Sequence, residues 1–233
     1  MALPAFLLRT PYGAANPVGA FAFDEEGGLW GNAALAMAAA LSGSVARTGW
    51  PTHFIGSSQA IANLPLWKSV QGQSPLAVLI PESKLSEFSK GGFVVLSGKV
   101  NHDALHVARA ATVCLPETYQ DLMAATEARI HVSLACTLFV AQAAHHLVAA
   151  QQAIEPGTPV ELVKQEIEAR LRAFFQTEGH RVPPDAVEIQ QVEDSGVEDH
   201  DLLAIRLRAP RYVLDRSVSL VMGLPVPKGG TER

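Results

Sequence analysis

The sequence predicts an α/β (α+β) fold in which a mixed sheet is flanked by helices and followed by a C-terminal β segment. Two apolar runs, LAVLI at 76–80 and FVVLSG at 93–98, have the length of buried strands and bracket a helix-like stretch, which indicates a parallel crossover. After Pro183 and Pro184 the apolar period changes to two, as in strands with one buried face. We therefore divide the chain into an extended arm (1–28), an α/β domain (29–182) and the C-terminal β segment (183–233).

The composition argues against a strongly charged partner. The 233 residues are 48% hydrophobic and 18% charged, and the formal net charge is -5. Nucleic acid and anionic membranes both bind basic faces, so neither is expected as a partner. The two cysteines make no disulfide framework, no basic signal-peptide region is present, and the longest apolar stretch is interrupted by Gln142, His145 and His146. We expect a cytoplasmic protein without membrane insertion.

The first half of the chain is predicted to contain the arm, two helices and several extended segments. Proline and glycine recur before Leu29, which disfavours regular structure there. An alanine-rich helix follows at 32–47 and ends at Gly49. The remaining expectations are a short strand at 52–56 (THFIG), a loop at 63–75, a helix at 81–91 and extended chain at 103–116.

Further helices are predicted in the middle of the chain. The pattern from Thr118 to Gln152 is helical, with apolar residues three or four positions apart. In the next helix, 158–175, Thr158 and Glu161 have the spacing of a capping box, and Pro159 occupies the first helical position. Its predicted buried face consists of Leu162, Ile167, Leu171 and Phe174.

Three strands with alternating apolar residues are predicted after Pro184. The last of them, 217–224, places Val218, Leu220, Met222 and Leu224 on one face and ends at Pro225. We expect this strand to pair with a neighbouring chain, because a strand near a chain end can reach another molecule. The alternative is an edge strand within its own domain.

No motif for catalysis or cofactor binding is recognisable in the sequence. A phosphate loop, a nucleophile elbow and paired-cysteine metal sites are all missing, so we predict no enzymatic activity, no cofactor and no metal. His102 and His106 do have the spacing of metal ligands on a helix, with Cys114 as a distant third ligand. A small α/β enzyme or metal-binding protein that uses these three residues is the first alternative hypothesis.

Charge is segregated within the C-terminal β segment. An acidic turn at 193–201 is followed by Arg206, Arg208, Arg211 and Arg216. Two interpretations stay open, namely solvated strand faces and a complementary contact between copies of the chain.

Four sequence blocks resemble the large subunit of the type VI secretion contractile sheath. FLLRTPYGAANPVGAFAFDE (6–25) is similar to a family segment with an arginine and a proline-tyrosine-glycine turn, and LWGNAALAMAAAL (29–41) resembles the opening of a family helix. EARIHVSLACTLFVAQAAHHL (127–147) resembles the family's long helix, and RAPRYVLDRSVSLVMGLPVP (208–227) its terminal strands. All four blocks resemble segments from the C-terminal half of the family's sequence. We therefore expect that the N-terminal half of the family's sequence is absent from this chain.

The resemblance implies a contractile tail-sheath-like domain that polymerises and contracts to drive an inner tube. The implied partners are further copies of the chain, the small sheath subunit, the inner tube protein and the baseplate. The helix that a recycling ATPase recognises in the family is expected to be missing with the N-terminal half. A regulator that binds sheath components without polymerising is the second alternative hypothesis.

Small side chains allow helix backbones to approach closely, so the alanine-rich helix suits a contact between subunits. Together with the charge and strand patterns, it gives a predicted interface of Trp30, Gly31, Asn32, Ala36, Ala39, Arg206, Arg208, Arg211, Arg216, Val218, Leu220 and Met222.

Overall fold

A computed structural model of the chain describes residues 1–12, 25, 27–69, 72–155, 157–192, 200–214 and 218–227. The chain divides into two compact units, Met1–Ala135 and Cys136–Arg233. The described residues contain five α-helices and ten strands, which confirms the α/β (α+β) class. The functional division into an arm, a central domain and an interlocking segment stays a prediction.

The first unit is built on a three-stranded mixed sheet. Its central strand, β6 (Val94–Gly98), pairs in parallel with β1 (Ala2–Leu3) and antiparallel with β7 (Leu105–Ala110). Val95 and Leu96 on β6 are fully buried, as are Leu105 and Val107 on β7. The strand predicted at 93–98 is therefore confirmed, and β7 lies within the segment predicted to be extended.

The predicted parallel crossover is wrong. Leu76 makes only an isolated bridge to Phe6, and Val78 is exposed, so residues 76–80 form no strand. Backbone hydrogen bonds from Leu7 to the Pro75 carbonyl and from Ala77 to the Ala5 carbonyl hold this segment instead. The prediction failed because the buried Leu76 packs against the start of the chain rather than against a parallel strand.

Two small antiparallel pairs complete the strands of the first unit. β2 (Phe6–Arg9) pairs with β3 (Leu29–Gly31), so part of the predicted arm is strand. β4 (Trp67–Ser69) pairs with β5 (Gly72–Ser74), where a loop was expected. The strand expected at 52–56 is wrong, because Ile55 makes only an isolated parallel bridge to Val107.

The helices of the first unit follow their capping signals. α1 (Ala33–Thr48) and α2 (Glu82–Lys90) lie where they were predicted. α3 (Leu122–His131) begins after Asp121, whose carboxylate accepts a hydrogen bond from the Ala124 amide at 2.9 Å.

The helical pattern predicted from Thr118 to Gln152 is two helices rather than one. α3 ends before Val132, whose carbonyl accepts a hydrogen bond from the Thr112 hydroxyl at 2.6 Å, and Ser133 forms a bridge with Ala111. α4 (Leu134–Gln152) then begins. By length and composition alone α4 would suffice to cross a membrane, a test that core helices of soluble proteins also pass.

The second unit combines helices with an antiparallel sheet of strand order β10–β9–β8. The strands are β8 (Val187–Val192), β9 (His200–Ala209) and β10 (Val218–Pro227), which confirms the three predicted strands. Leu203, Ile205 and Leu207 on the central strand β9 are fully buried. The helix α5 (Val160–Phe175) packs against β8.

The start and the buried face of α5 both differ from the predicted ones. Pro159 is the N-terminal cap rather than the first helical residue, and the Thr158 hydroxyl donates to the Glu155 carbonyl at 2.7 Å, so no capping box forms. The helix buries Val163, Ile167, Leu171 and Phe175. Leu162 is 55% exposed, and only Ile167 and Leu171 of the predicted face are confirmed as core residues.

Two matched leucine truncations on α5 test this face. Leu171 is 1% exposed, so Leu171→Ala should lower the free energy of unfolding by about 2–5 kcal/mol through lost contacts and a residual cavity. Leu162→Ala removes the same atoms from the exposed side and should cost about 0.5 kcal/mol or less. Urea titrations monitored by circular dichroism measure both, and equal losses would contradict the assigned face.

Candidate assembly interface

The alanine-rich helix α1 has one buried and one exposed face. The Asn32 side chain accepts a hydrogen bond from the Ala34 amide at 2.9 Å and caps the helix, and Gly49 ends it with a positive φ of 77°. Its buried side is formed by small residues and one methionine, namely Ala33, Ala36, Met37, Ala40 and Ser44. Leu35, Ala39 and Val45 lie on the exposed side.

Ala36 and Ala39 of the predicted interface therefore lie in different environments. Ala36 is 2% exposed, so its methyl group packs inside the first unit. Ala39 and the cap residue Asn32 are exposed. The surface that α1 offers to another molecule is the side of Ala39, and its contact with a subunit stays a prediction.

Trp30 and Gly31 connect α1 to the strands that precede it. The ring of Trp30 is half-buried and packs edge-on against Trp67 of β4, with the ring centroids 6.0 Å apart. Gly31 is buried, and a Cβ atom there would come within 2.9 Å of the Leu8 side chain. Sequence reasoning missed Trp67, because the segment around it was taken for a loop.

The other end of α1 is fixed by Ser44. Its hydroxyl donates to the Trp50 carbonyl at 2.5 Å and accepts a hydrogen bond from the His53 amide at 3.0 Å. Ser44 and Trp50 are both buried, so these bonds satisfy backbone groups that water does not reach.

Two arginines of the predicted interface form ion pairs within the chain. Arg206 contacts Glu188 on the neighbouring strand β8 at 3.2 Å, and Arg208 pairs with Asp185. Both pairs are solvent-exposed, and such pairs contribute about 0–1 kcal/mol. Arg211 is exposed, and Arg216 and residues 193–199 lie outside the described residues. A contact between copies of the chain would have to compete with the two existing pairs.

The last strand pairs with β9 of its own chain, and its pairing with a neighbouring chain stays a prediction. β10 runs antiparallel to β9 from the pair Val218–Ala209 to the pair Pro227–His200. Val218 and Leu224 are buried, whereas Leu220 and Met222 are half-buried, so the predicted alternation is confirmed. The alternative, an edge strand within the domain, describes the structure.

Among the described residues, β10 is an edge strand, and no strand pairs with its side opposite β9. Pro225 has no N–H, and its carbonyl accepts a hydrogen bond from the Gln151 side chain at 2.8 Å, so the Pro225 backbone faces away from β9. Backbone direction alternates along a strand, and the N–H groups of Ser219, Val221 and Gly223 therefore face the same way. We call these three groups the open edge of β10.

Comparison with known proteins identifies the family. The tail sheath N-terminal domain of the VipB/EvpB type matches residues 1–114. The type VI secretion system sheath protein TssC1 of Pseudomonas aeruginosa is 30% identical over 163 residues, which cover 63% of this chain. Residues 1–114 therefore belong to the type VI secretion tail sheath family. The chain spans 33% of the length of TssC1.

The matched sheath domain corrects one expectation. Residues 1–114 match a domain described as N-terminal, so the placement of the whole chain in the later half of the family is not borne out. The inference that the ATPase-recognition helix is missing rested on that placement and has no further support.

The three residues of the metal-binding alternative are not brought together as a metal site. His102 lies in an exposed turn, His106 lies on β7, and Cys114 is exposed. Within the described ranges no three His, Cys, Asp or Glu side chains are grouped to hold a metal ion. The helical spacing that suggested a site does not apply, because β7 is a strand.

The two alanines of α1 provide a matched test. Ala36→Leu places three additional carbon atoms in a packed interior and should cost about 1–3 kcal/mol of folding stability. Ala39→Leu makes the same change on the exposed side and should leave the unfolding midpoint in urea unchanged. A loss of stability in Ala39→Leu equal to that in Ala36→Leu would contradict the orientation of α1.

His106 should make stability depend on pH. Burial, with a smaller effect of Lys99, lowers the pKa of His106 below its ordinary value of 6.5. The unfolded chain then binds the proton more readily, so the contribution of neutral His106 is complete above about pH 6.5 and is lost as the pH falls towards its folded-state pKa. Urea unfolding at several pH values should show a smaller acid loss in His106→Gln, and identical losses would contradict this effect.

Proposed function

We propose that this chain is a structural subunit of a contractile type VI secretion sheath and has no catalytic activity. It polymerises, and contraction of the polymer drives an inner tube. The match of residues 1–114 to the tail sheath domain and the 30% identity to a type VI secretion sheath protein support this function. The single structural observation that carries it is the open edge of β10, because an unpaired strand edge is a template for a strand from another chain.

Strand addition at this edge links subunits without unfolding them. An incoming strand accepts hydrogen bonds from Ser219, Val221 and Gly223 while β10 keeps its full pairing with β9. Pro225 and Pro227 donate no hydrogen bond, and Gln151 occupies the Pro225 carbonyl. The incoming strand is therefore confined to the part of β10 before Pro225, which sets its register.

The exposed side of α1 supplies a second contact surface. Its exposed alanines, including Ala34, Ala38 and Ala39, are small and lose little side-chain entropy on contact. Leu35 and Val45 on the same helix are also exposed and provide apolar area. Small side chains make this surface smooth, so two subunits in contact through it can slide to a new contact during contraction. The strand pairing keeps neighbouring subunits connected meanwhile.

The partners of this subunit are further copies of the chain, the small sheath subunit, the inner tube protein and the baseplate. Nucleic acid and membrane are not among them, in keeping with the net charge of -5. The assembly is cytoplasmic. A regulator that binds sheath components without polymerising would share these surfaces, and the presence or absence of a polymer separates the two functions.

Val221→Pro tests the open edge directly. Proline removes the outward N–H and leaves the pairing with β9 intact, so the variant should fold but fail to sediment as a polymer when co-expressed with the small sheath subunit. Val221→Thr keeps the N–H and the β-branched shape and should polymerise normally. Circular dichroism reports the fold and ultracentrifugation the polymer.

Either of two results would contradict the proposal. A Val221→Pro chain that polymerises as well as Val221→Thr would show that the open edge is not used. An unfolded Val221→Pro chain would show that the amide faces β9 and that the edge has been assigned wrongly.

A further inference from the structure

A groove in the first unit brings three cationic side chains together without a carboxylate. It lies among the C-terminal ends of α2 and α3, the end of β7 and residues 111–116, and encloses about 540 Å³. Lys90, Arg109 and Arg129 line it, and none of the three forms an ion pair with another described residue. In a chain of net charge -5, such a local excess of positive charge favours an anionic partner.

The surroundings of the groove compensate only part of this charge. The ends of α2 and α3 each carry a partial charge of about −0.5, which offsets roughly one of the three positive charges. Glu87 pairs with Lys84 at 2.7 Å and also interacts electrostatically with Lys90. The positive charge available to a ligand therefore rests mainly on Arg109 and Arg129.

The groove also offers apolar surface. Ala110, Leu115 and Val132 are part of its lining, and Leu115 is 81% exposed. Val113, on the same segment, is 84% exposed. A bare inorganic anion would use only the cations, whereas a peptide that carries both carboxylates and an apolar side chain would use the whole lining.

One wall of the groove is joined to the end of α3. The Thr112 hydroxyl donates to the Val132 carbonyl at 2.6 Å, and Ala111 pairs with Ser133 in a β-bridge. These two contacts fix Ala111 and Thr112, so this wall does not have to be ordered on binding.

We propose that this groove binds an acidic peptide segment of a partner protein, with an apolar side chain resting on Leu115 and carboxylates on Arg109 and Arg129. The residues of this site include none from β10 and none from α1. It does not depend on the proposed sheath function, because it rests on the charge and shape of the groove alone.

Cys114 provides a reporter within the groove. It lines the groove and is exposed, whereas the only other cysteine of the chain, Cys136, is buried, and burial raises the pKa of its thiol. A maleimide therefore reacts with Cys114 first, because the thiolate is the reactive form and must be accessible.

The experiment uses the full chain and a fluorescein-labelled Glu-Leu-Glu-Glu-Leu-Glu peptide. Fluorescence anisotropy should show saturable binding, and saturating peptide should slow the labelling of Cys114. Arg109→Gln and Arg129→Gln should each weaken binding by about two- to fivefold, because both side chains are exposed and an exposed ion pair contributes modestly. Arg47→Gln makes the same charge change on exposed α1, outside the groove, and should leave binding unchanged.

Several results would overturn the proposal. Equal binding of a Gln-Leu-Gln-Gln-Leu-Gln peptide would show that charge is not recognised, and equal weakening by Arg47→Gln would show non-specific attraction. Protection of Cys114 by inorganic phosphate as effective as that by the peptide would assign a simple anion site. Stronger protection by a single-stranded oligonucleotide would assign a nucleic-acid site.

Discussion

The antiparallel pairing of β10 with β9 is the interaction on which the second unit and its proposed role in assembly both depend. The register from Val218–Ala209 to Pro227–His200 places Val218, Leu224 and Val226 in the interior. A slip of one residue would turn these side chains outwards, so apolar burial specifies the register strongly. The same register turns the N–H groups of Ser219, Val221 and Gly223 away from β9, and the fold itself thus creates the edge that another chain can use.

An open strand edge can also cause aggregation, and three residues of this chain limit the length of the edge that is available for pairing. Pro225 and Pro227 cannot donate to an incoming strand, and Gln151 of α4 occupies the Pro225 carbonyl. Only a short stretch of β10 is left to pair, which favours one incoming register over indefinite sheet growth. In the first unit, the cap residue Asn32 and the buried Ser44 fix α1 so that its small exposed residues form a separate surface.

Much of the fold follows from the sequence, and the failures have identifiable physical causes. The alternation after Pro184 gave all three strands, since period two is a strong signal when one sheet face is buried. The strand predicted at 76–80 (LAVLI) does not form, because a short apolar run does not reveal its packing partner. That partner is the chain segment around Phe6. The predicted capping box does not form, because the Thr158 hydroxyl donates to the Glu155 carbonyl and α5 begins at Val160.

The sequence predicted which helix and strand form the candidate interface, but it did not predict well which of their residues are exposed. The pattern identified α1 and β10, yet helical spacing alone did not show that Ala36 faces inwards and Ala39 outwards. Charge counting did not reveal that Arg206 and Arg208 already have partners at Glu188 and Asp185. The cations of the groove, Lys90, Arg109 and Arg129, are far apart in sequence, and only the tertiary structure brings them together.

Hydrogen–deuterium exchange resolved to single amides, in the free chain and in the assembled polymer, tests the central claim most directly. In the free chain, the amides of Leu220, Met222 and Leu224 should be protected by β9, and those of Ser219, Val221 and Gly223 should exchange rapidly. Assembly should protect this second set while leaving the first unchanged. Slow exchange of the second set in the free chain, or rapid exchange within the polymer, would contradict a sheath link through the open edge of β10.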